Sequence, residues 1–175
     1  AILTRLAQAQ VKRSYSPTLG VILVGNDPAS QLYVNLKKET AERLGFTLTI
    51  KHYPPTVTDE ELITEVQGWN VDDTVHGSLV QVPLPSGHDE SAIIQAIDPK
   101  KDVDGFHAEN ARALYAHTPV VLSPVHEGTL HFINASGIHV NGAQVSLIAN
   151  STIFAEPLAH LLTTAGAHVR TMSAD

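Results

Sequence analysis

A tyrosine and a lysine four residues apart, Tyr33 and Lys37, stand in the stretch "ASQLYVNLKKETAERLG". On a helix that spacing puts both side chains on one face. Where such a helix follows a parallel strand, the face can line a crevice at the strand's C-terminal end. A lysine partly withdrawn from water there has its pKa drawn down toward the working range of a general acid or base. The same spacing fits a surface lysine with a tyrosine packed along its stem, the commoner arrangement, and spacing alone leaves the two open. Gln81 lies inside "LVQVPLP", an amide in an otherwise apolar strand. An unpaired buried amide costs about 1–3 kcal/mol, so Gln81 needs a partner, either a ligand or a protein group such as the backbone. The prolines that follow, Pro83 and Pro85 around Leu84, cannot continue a ladder and open the strand into a rigid loop suited to wall a ligand. Asp102 and Asp104 in "KDVDGF" could hold a metal or a polar ligand, with Gly105 easing the turn that presents Asp104. A solvated acidic turn is the ordinary alternative, and the ligand alternation of a calcium loop does not continue.

Other chemistry finds less support. The ten histidines are scattered. His126 and His131 are five apart, and no pair has the helical spacing of a zinc helix, so no metal is expected. There is no Gly-x-Ser-x-Gly elbow for a serine hydrolase. The absence of cysteine excludes disulfides and thiolate metal sites and fits a reducing, cytoplasmic setting. A net charge of −7 without a basic run argues against nucleic acid and anionic membranes as partners. No stretch reaches the ~18 apolar residues of a membrane span.

The elements that must position these residues follow an alternating pattern. "LGVILVG" at 19–25 reads as a buried parallel strand. "NDPAS" supplies a turn and a cap, and the spacing predicts a helix over 30–45 closed by glycine. "FTLTIKHY" alternates as a strand, and Thr58-Asp-Glu-Glu61 resembles a capping box opening a helix to about 70. A strand at 76–82, a helix near 89–97 and the charged loop "DPKKDVDGF" follow. Residues 107–125 are uneven in pattern. A helix over 128–137, a strand over 143–149, a helix over 156–166 and the short strand "HVRTM" complete the chain. Strands alternating with helices predict an α/β fold with a mainly parallel sheet. The expected organisation is two domains, 1–120 and 121–175, joined by a linker near 118–126. The opening residues read as the tail of an amphipathic helix, and 143–172 as about half of a mononucleotide-binding unit, as in a chain trimmed at both ends.

Three segments in order, "VILVGNDPASQLYVNLKKE", "HGSLVQVPLP" and "DPKKDVDGFH", closely resemble the FolD family of bifunctional methylenetetrahydrofolate dehydrogenase/methenyltetrahydrofolate cyclohydrolases. The similarity runs with few gaps from about Leu19 to His107. It implies an N-terminal three-layer α/β catalytic domain plus a Rossmann-type domain, here partial, with a tetrahydrofolate derivative as substrate and NADP as the family cofactor. By resemblance, Tyr33 packs on the folate, Lys37 is central to catalysis, Gln81 hydrogen-bonds that lysine, Pro83 and Leu84 line the substrate and Asp104 holds the pterin ring. Hydride leaves the methylene carbon for NADP, and water then attacks the methenyl cation with Lys37 assisting proton movement. Family members are commonly dimers, so a homodimer is implied as well.

After Asn110 the chain departs from the pattern. Arg112-Ala113 stands for a Gly-Arg pair, and Ser123-Pro-Val-His-Glu-Gly128 for Pro-Cys-Thr-Pro-x-Gly. The nucleotide loop, Gly-Arg-Ser-x-x-Val-Gly-x-Pro in the family, is Ala149-Asn-Ser-Thr-Ile-Phe-Ala-Glu-Pro157. Ser151 and Pro157 keep their places, so Ser151 is the cofactor-binding residue that remains. Alanine adds a Cβ where backbone should approach pyrophosphate. Glu156, expected near the start of the following helix, competes with an anion for its positive end. Asp175 stands where an arginine would grip the 2′-phosphate of NADP. The expectation is a folate site with weak or absent NADP binding. It leaves three readings: the full bifunctional enzyme, a cyclohydrolase alone, or a folate- or partner-binding paralogue without catalysis.

Overall fold

A short apolar run builds the central strand. In the computed structural model, which describes residues 8, 15–119 and 121–173, β1 spans Thr18–Val24, its last five residues buried. It pairs in parallel with β2 (Thr47–Tyr53) on one side and β3 (Gly77–Val80) on the other, Val21 lying opposite Ile50 and Leu79. Alternation along the strand sends Ile22 and Val24 to one face, where they meet Leu62, Val66 and Trp69 of α2 (Asp59–Val71) and Ile93 of α3 (Glu90–Gln95). Val21, Leu23 and Leu79 go to the other face, against Val34 of α1 (Pro28–Leu44). Helices on both faces of a parallel sheet make the expected three-layer α/β arrangement.

Local signals explain where these helices begin and end. Asp27 caps α1, its Oδ2 accepting from Ser30 N at 2.7 Å, and Gly45 closes it with φ at 72°. Thr58 and Glu61 form the capping box foreseen for α2. That helix can approach β1 closely because residue 20 is glycine: a Cβ there would stand 2.7 Å from the Trp69 ring. Lys101 Nζ donates to the carbonyls of Trp69 and Asp72, each at 2.8 Å, and so satisfies the last turn of α2.

A second compact unit contains α4 (Ala108–Tyr115), α5 (Pro124–Ala135), β4 (Gln144–Ile148), α6 (Thr152–Thr164) and β5 (His168–Met172). β4 and β5 pair in parallel through the crossover α6, the expected partial Rossmann-type βαβ unit. Leu158, Leu162 and Ala167 are its buried core, with Leu130, Ile133, Val145, Leu147 and Val169 packed around them.

Several boundaries differ from the sequence expectation. α5 starts at Pro124 rather than residue 128, because a proline fits the first helical position, where its missing N–H is no loss. α6 starts at Thr152 rather than 156, leaving Pro157 inside the helix. Glu156 is therefore in the second turn and not at the helix start. The uneven stretch after residue 107 contains α4, which packs on α6 through an edge contact of Tyr115 with His160 at 5.0 Å. The two compact units meet in sequence at Val103 and Asp104, earlier than the linker expected near 118–126. The N-terminal helix expected before residue 15 and the aspartate at 175 lie outside the described residues. Among the described residues no helix is long and apolar enough to cross a membrane.

Candidate functional site

The period of β3 decides where Gln81 points. Leu79 faces α1, so the residue two further on faces it too. Gln81 extends the strand by one bond, its N–H donating to Ile22 O at 2.9 Å. Its side chain meets Lys37 from α1: Lys37 Nζ donates to Gln81 Oε1 at 2.7 Å. The other end of the amide, Nε2, donates to Val82 O at 2.8 Å. The two bonds require the same orientation of the amide, oxygen toward the lysine and nitrogen toward the backbone. Both side chains are half-buried. A primary amine is thus held against a neutral acceptor on a rigid strand end, an arrangement suited to proton transfer.

Tyr33 lies one turn before Lys37 on α1 and is 59% exposed, an aromatic surface open to a ligand. Of the loop after Gln81, Pro83 is exposed, whereas Leu84 is half-buried against the α2/α3 core. Asp104 is half-buried and begins the second compact unit. Asp102, its neighbour in the motif, is 2% exposed and forms a bridge with Ser78 of β3. Buried there, it is not the solvated acidic turn that is the ordinary reading of the motif. Among the described residues no three His, Asp or Glu side chains converge as a metal-holding group.

Sequence reasoning missed the side chains that hold these loops. His52 Nε2 donates to Gly25 O at 2.7 Å, fixing the turn from β1 into α1. His88 Nδ1 lies 2.6 Å from Asp59 Oδ1, and Asp59 Oδ2 accepts from Asp89 N at 2.9 Å. Those two bonds, the Asp89 N–H first and His88 second, hold the Asp59 carboxyl below its ordinary value. Only Asp59 carried any signal, as part of the capping stretch. His88 was one of many scattered histidines.

The turn between β4 and α6 is built without left-handed backbone at Ala149, Asn150 or Ser151; His117 is the non-glycine with positive φ among the described residues. Ser151 precedes α6 as its cap residue but makes no side-chain capping bond, and it is exposed. Ala155 is buried at 4% exposure. Phe154 stacks edge-on against Phe106 at 5.0 Å, and its carbonyl accepts from His126 Nε2 at 2.9 Å. Burial pushes His126 below its ordinary value, with the bond to Phe154 opposing.

The geometry has clear relatives. The family model described as the catalytic domain of tetrahydrofolate dehydrogenase/cyclohydrolase matches residues 1–104. A bifunctional protein FolD of Levilactobacillus brevis is 42% identical over 96% of this chain and 60% of its own length. Among solved structures, the FolD methylenetetrahydrofolate dehydrogenase/cyclohydrolase of Campylobacter jejuni superposes with a TM-score of 0.89 at 34% identity, over 99% of this chain and 62% of that one. The FolD of Trypanosoma brucei, solved with NADP cofactor and an inhibitor, gives 0.91 at 30% identity, over 98% and 60%. The chain thus spans about 60% of the length of the curated relatives it matches. On the matched motifs, the three-layer fold and this similarity, the chain belongs to the tetrahydrofolate dehydrogenase/cyclohydrolase family.

Proposed function

We propose that the chain carries the folate site of a methenyltetrahydrofolate cyclohydrolase, with Lys37 as the proton-transfer group and Gln81 as its partner. The observation that carries this reading is the 2.7 Å bond from Lys37 Nζ to Gln81 Oε1. The substrate is a cation, and water adds to its methenyl carbon. A positive substrate disfavours a second positive charge beside it, so Lys37 as a neutral amine takes the proton that the attacking water loses. That proton then passes to the ring nitrogen as the bond from this nitrogen to the carbon breaks. The hydroxyl left by the added water gives up its own proton to solvent as it becomes the carbonyl of the formyl product. Tyr33 offers its ring to the pterin, Pro83 and Leu84 wall the pocket, and Asp104 binds the pterin's polar edge. We assign the folate-binding part to about residues 1–120 and the partial Rossmann-type part to 121–175, a functional division later in the chain than the boundary of the compact units at Val103 and Asp104. A cytoplasmic homodimer is in keeping with the family reading.

The dinucleotide does not fit as well. The turn at 149–151 has no glycine and no cation, Ser151 is the polar residue left to meet a phosphate, and the first turns of α6 carry a buried alanine and an exposed glutamate. Dehydrogenase activity is the second reading, favoured by family membership and by the NADP-bound neighbour from Trypanosoma brucei.

One experiment separates these. Absorbance of methenyltetrahydrofolate is followed with the purified chain and with Lys37→Ala, and a parallel arm supplies methylenetetrahydrofolate with NADP. The expected result is decay above the spontaneous rate, reduced about 100-fold or more by the substitution, since general acid–base catalysis contributes on that order. NADPH formation would instead support the bifunctional reading. No acceleration by a folded chain overturns both.

A further inference from the structure

The loop between β3 and α3 follows Gln81 directly and carries Pro83 and Leu84. Its first half is held by packing: Leu84 rests on the core, and its N–H donates to Glu90 Oε2 at 3.0 Å. Its second half contains Ser86 and Gly87, both exposed, with φ of Gly87 at 105° and nothing near the position of a Cβ. The Asp59 carboxylate joins the end of the loop to α2, accepting from the His88 ring with one oxygen and from the Asp89 backbone with the other. A carboxylate only accepts, so Nδ1 of His88 bears the hydrogen. The bond is short, and the His88 side chain is 6% exposed against 28% for Asp59, so the pair is shielded from water on the histidine side. Asp59 is the first residue of α2, beside the Thr58–Glu61 capping box.

We propose that Asp59 and His88 are positioning residues that clamp the far end of the β3–α3 loop to α2 and, together with the core packing of Leu84 and its bond to Glu90, hold the Pro83–Leu84 wall of the folate pocket. The inference rests on the folate-site reading above. It predicts a division of labour. Gln81 is fixed by its own ladder bond to Ile22 and its bond to Val82, independently of the clamp. Loosening the loop therefore weakens substrate binding and leaves the proton-transfer pair in place.

The test uses His88→Leu, His88→Asn and, should the leucine variant fail to fold, Asp59→Asn. Asparagine places an amide N–H near the position of Nδ1, and leucine places none. In methenyltetrahydrofolate hydrolysis His88→Leu should raise KM about tenfold with kcat within about threefold, the pattern of lost uniform binding. His88→Asn should return KM to within about threefold of the parent. Hydrogen exchange of the amides at 84–89 should accelerate in His88→Leu and not in His88→Asn, with β3 itself protected in both. An unchanged KM in an active parent, equal behaviour of the two variants, or a kcat loss as large as the KM rise overturns the clamp. A parent that does not turn over folate overturns the functional reading instead. The exchange pattern then decides alone whether the clamp exists.

Discussion

At the scale of single residues, the choice of an amide at position 81 is informative. Gln81 Oε1 accepts from Lys37 without carrying charge, so this bond orients the amine without adding an ion pair. A carboxylate in the same place would form an ion pair and hold the lysine as a cation. Gln81→Glu, nearly identical in size, should therefore fold normally and bind folate while losing at least about tenfold in kcat. Melting temperature and KM close to the parent, with kcat reduced, is the expected pattern. An undiminished kcat would mean that Lys37 does not need to shed its proton. Little of this pairing was legible from spacing. The two residues are 44 apart in sequence, and only the family motifs pointed to their meeting. The Asp59–His88 pair, 29 apart, had no motif to announce it.

At the scale of elements, legibility follows the strength of the local signal. β1 was readable because four consecutive buried aliphatics leave no helical face. α2 was readable from its capping box, and the end of α1 from Gly45, whose left-handed backbone favours glycine. The starts of α5 and α6 were misplaced because proline serves two opposite roles. Pro124 begins a helix, whereas Pro157 lies within one and forfeits one backbone bond. α4 was obscure because eight residues give barely two turns, and its buried pair, Asn110 and Leu114, includes a polar residue. The contact of α2 with β1 supplies a prediction at this scale. Gly20→Ala drives a methyl group into the Trp69 ring, and with Ile22 and Val66 fully buried nearby the neighbours have little room to yield. The expected loss is about 1–3 kcal/mol, the usual cost of overpacking. It would be read as a lower urea midpoint with an unchanged slope, together with altered Trp69 fluorescence in the native state.

At the scale of the whole molecule, the two compact units should differ in their response to acid, because different groups are perturbed in each. In the first, Asp27, Asp59 and Asp72 are all held below the ordinary value of 3.8, mainly by hydrogen bonds from Ser30, from Asp89 and from Thr74. Their stabilisation is complete above 3.8 and is lost only as the pH falls through their lower folded-state values. In the second unit His126 is 2% exposed, and burial depresses it from 6.5. The unfolded chain takes up that proton more readily than the folded one, so the contribution of His126 is full above 6.5 and declines as the pH falls toward its folded-state value. The second unit should therefore weaken first on acidification. The chain offers a direct way to see this, since its single tryptophan, Trp69, sits in the core of the first unit. Helical circular dichroism, to which both units contribute, should begin to fall below pH 6.5 while Trp69 emission stays native. His126→Asn, which cannot be charged by acid, should move the first loss to lower pH and leave the Trp69 transition where it was. Coincident transitions by the two probes in the parent would show that His126 does not govern the acid response, and that the carboxylates of the first unit set it for the whole chain.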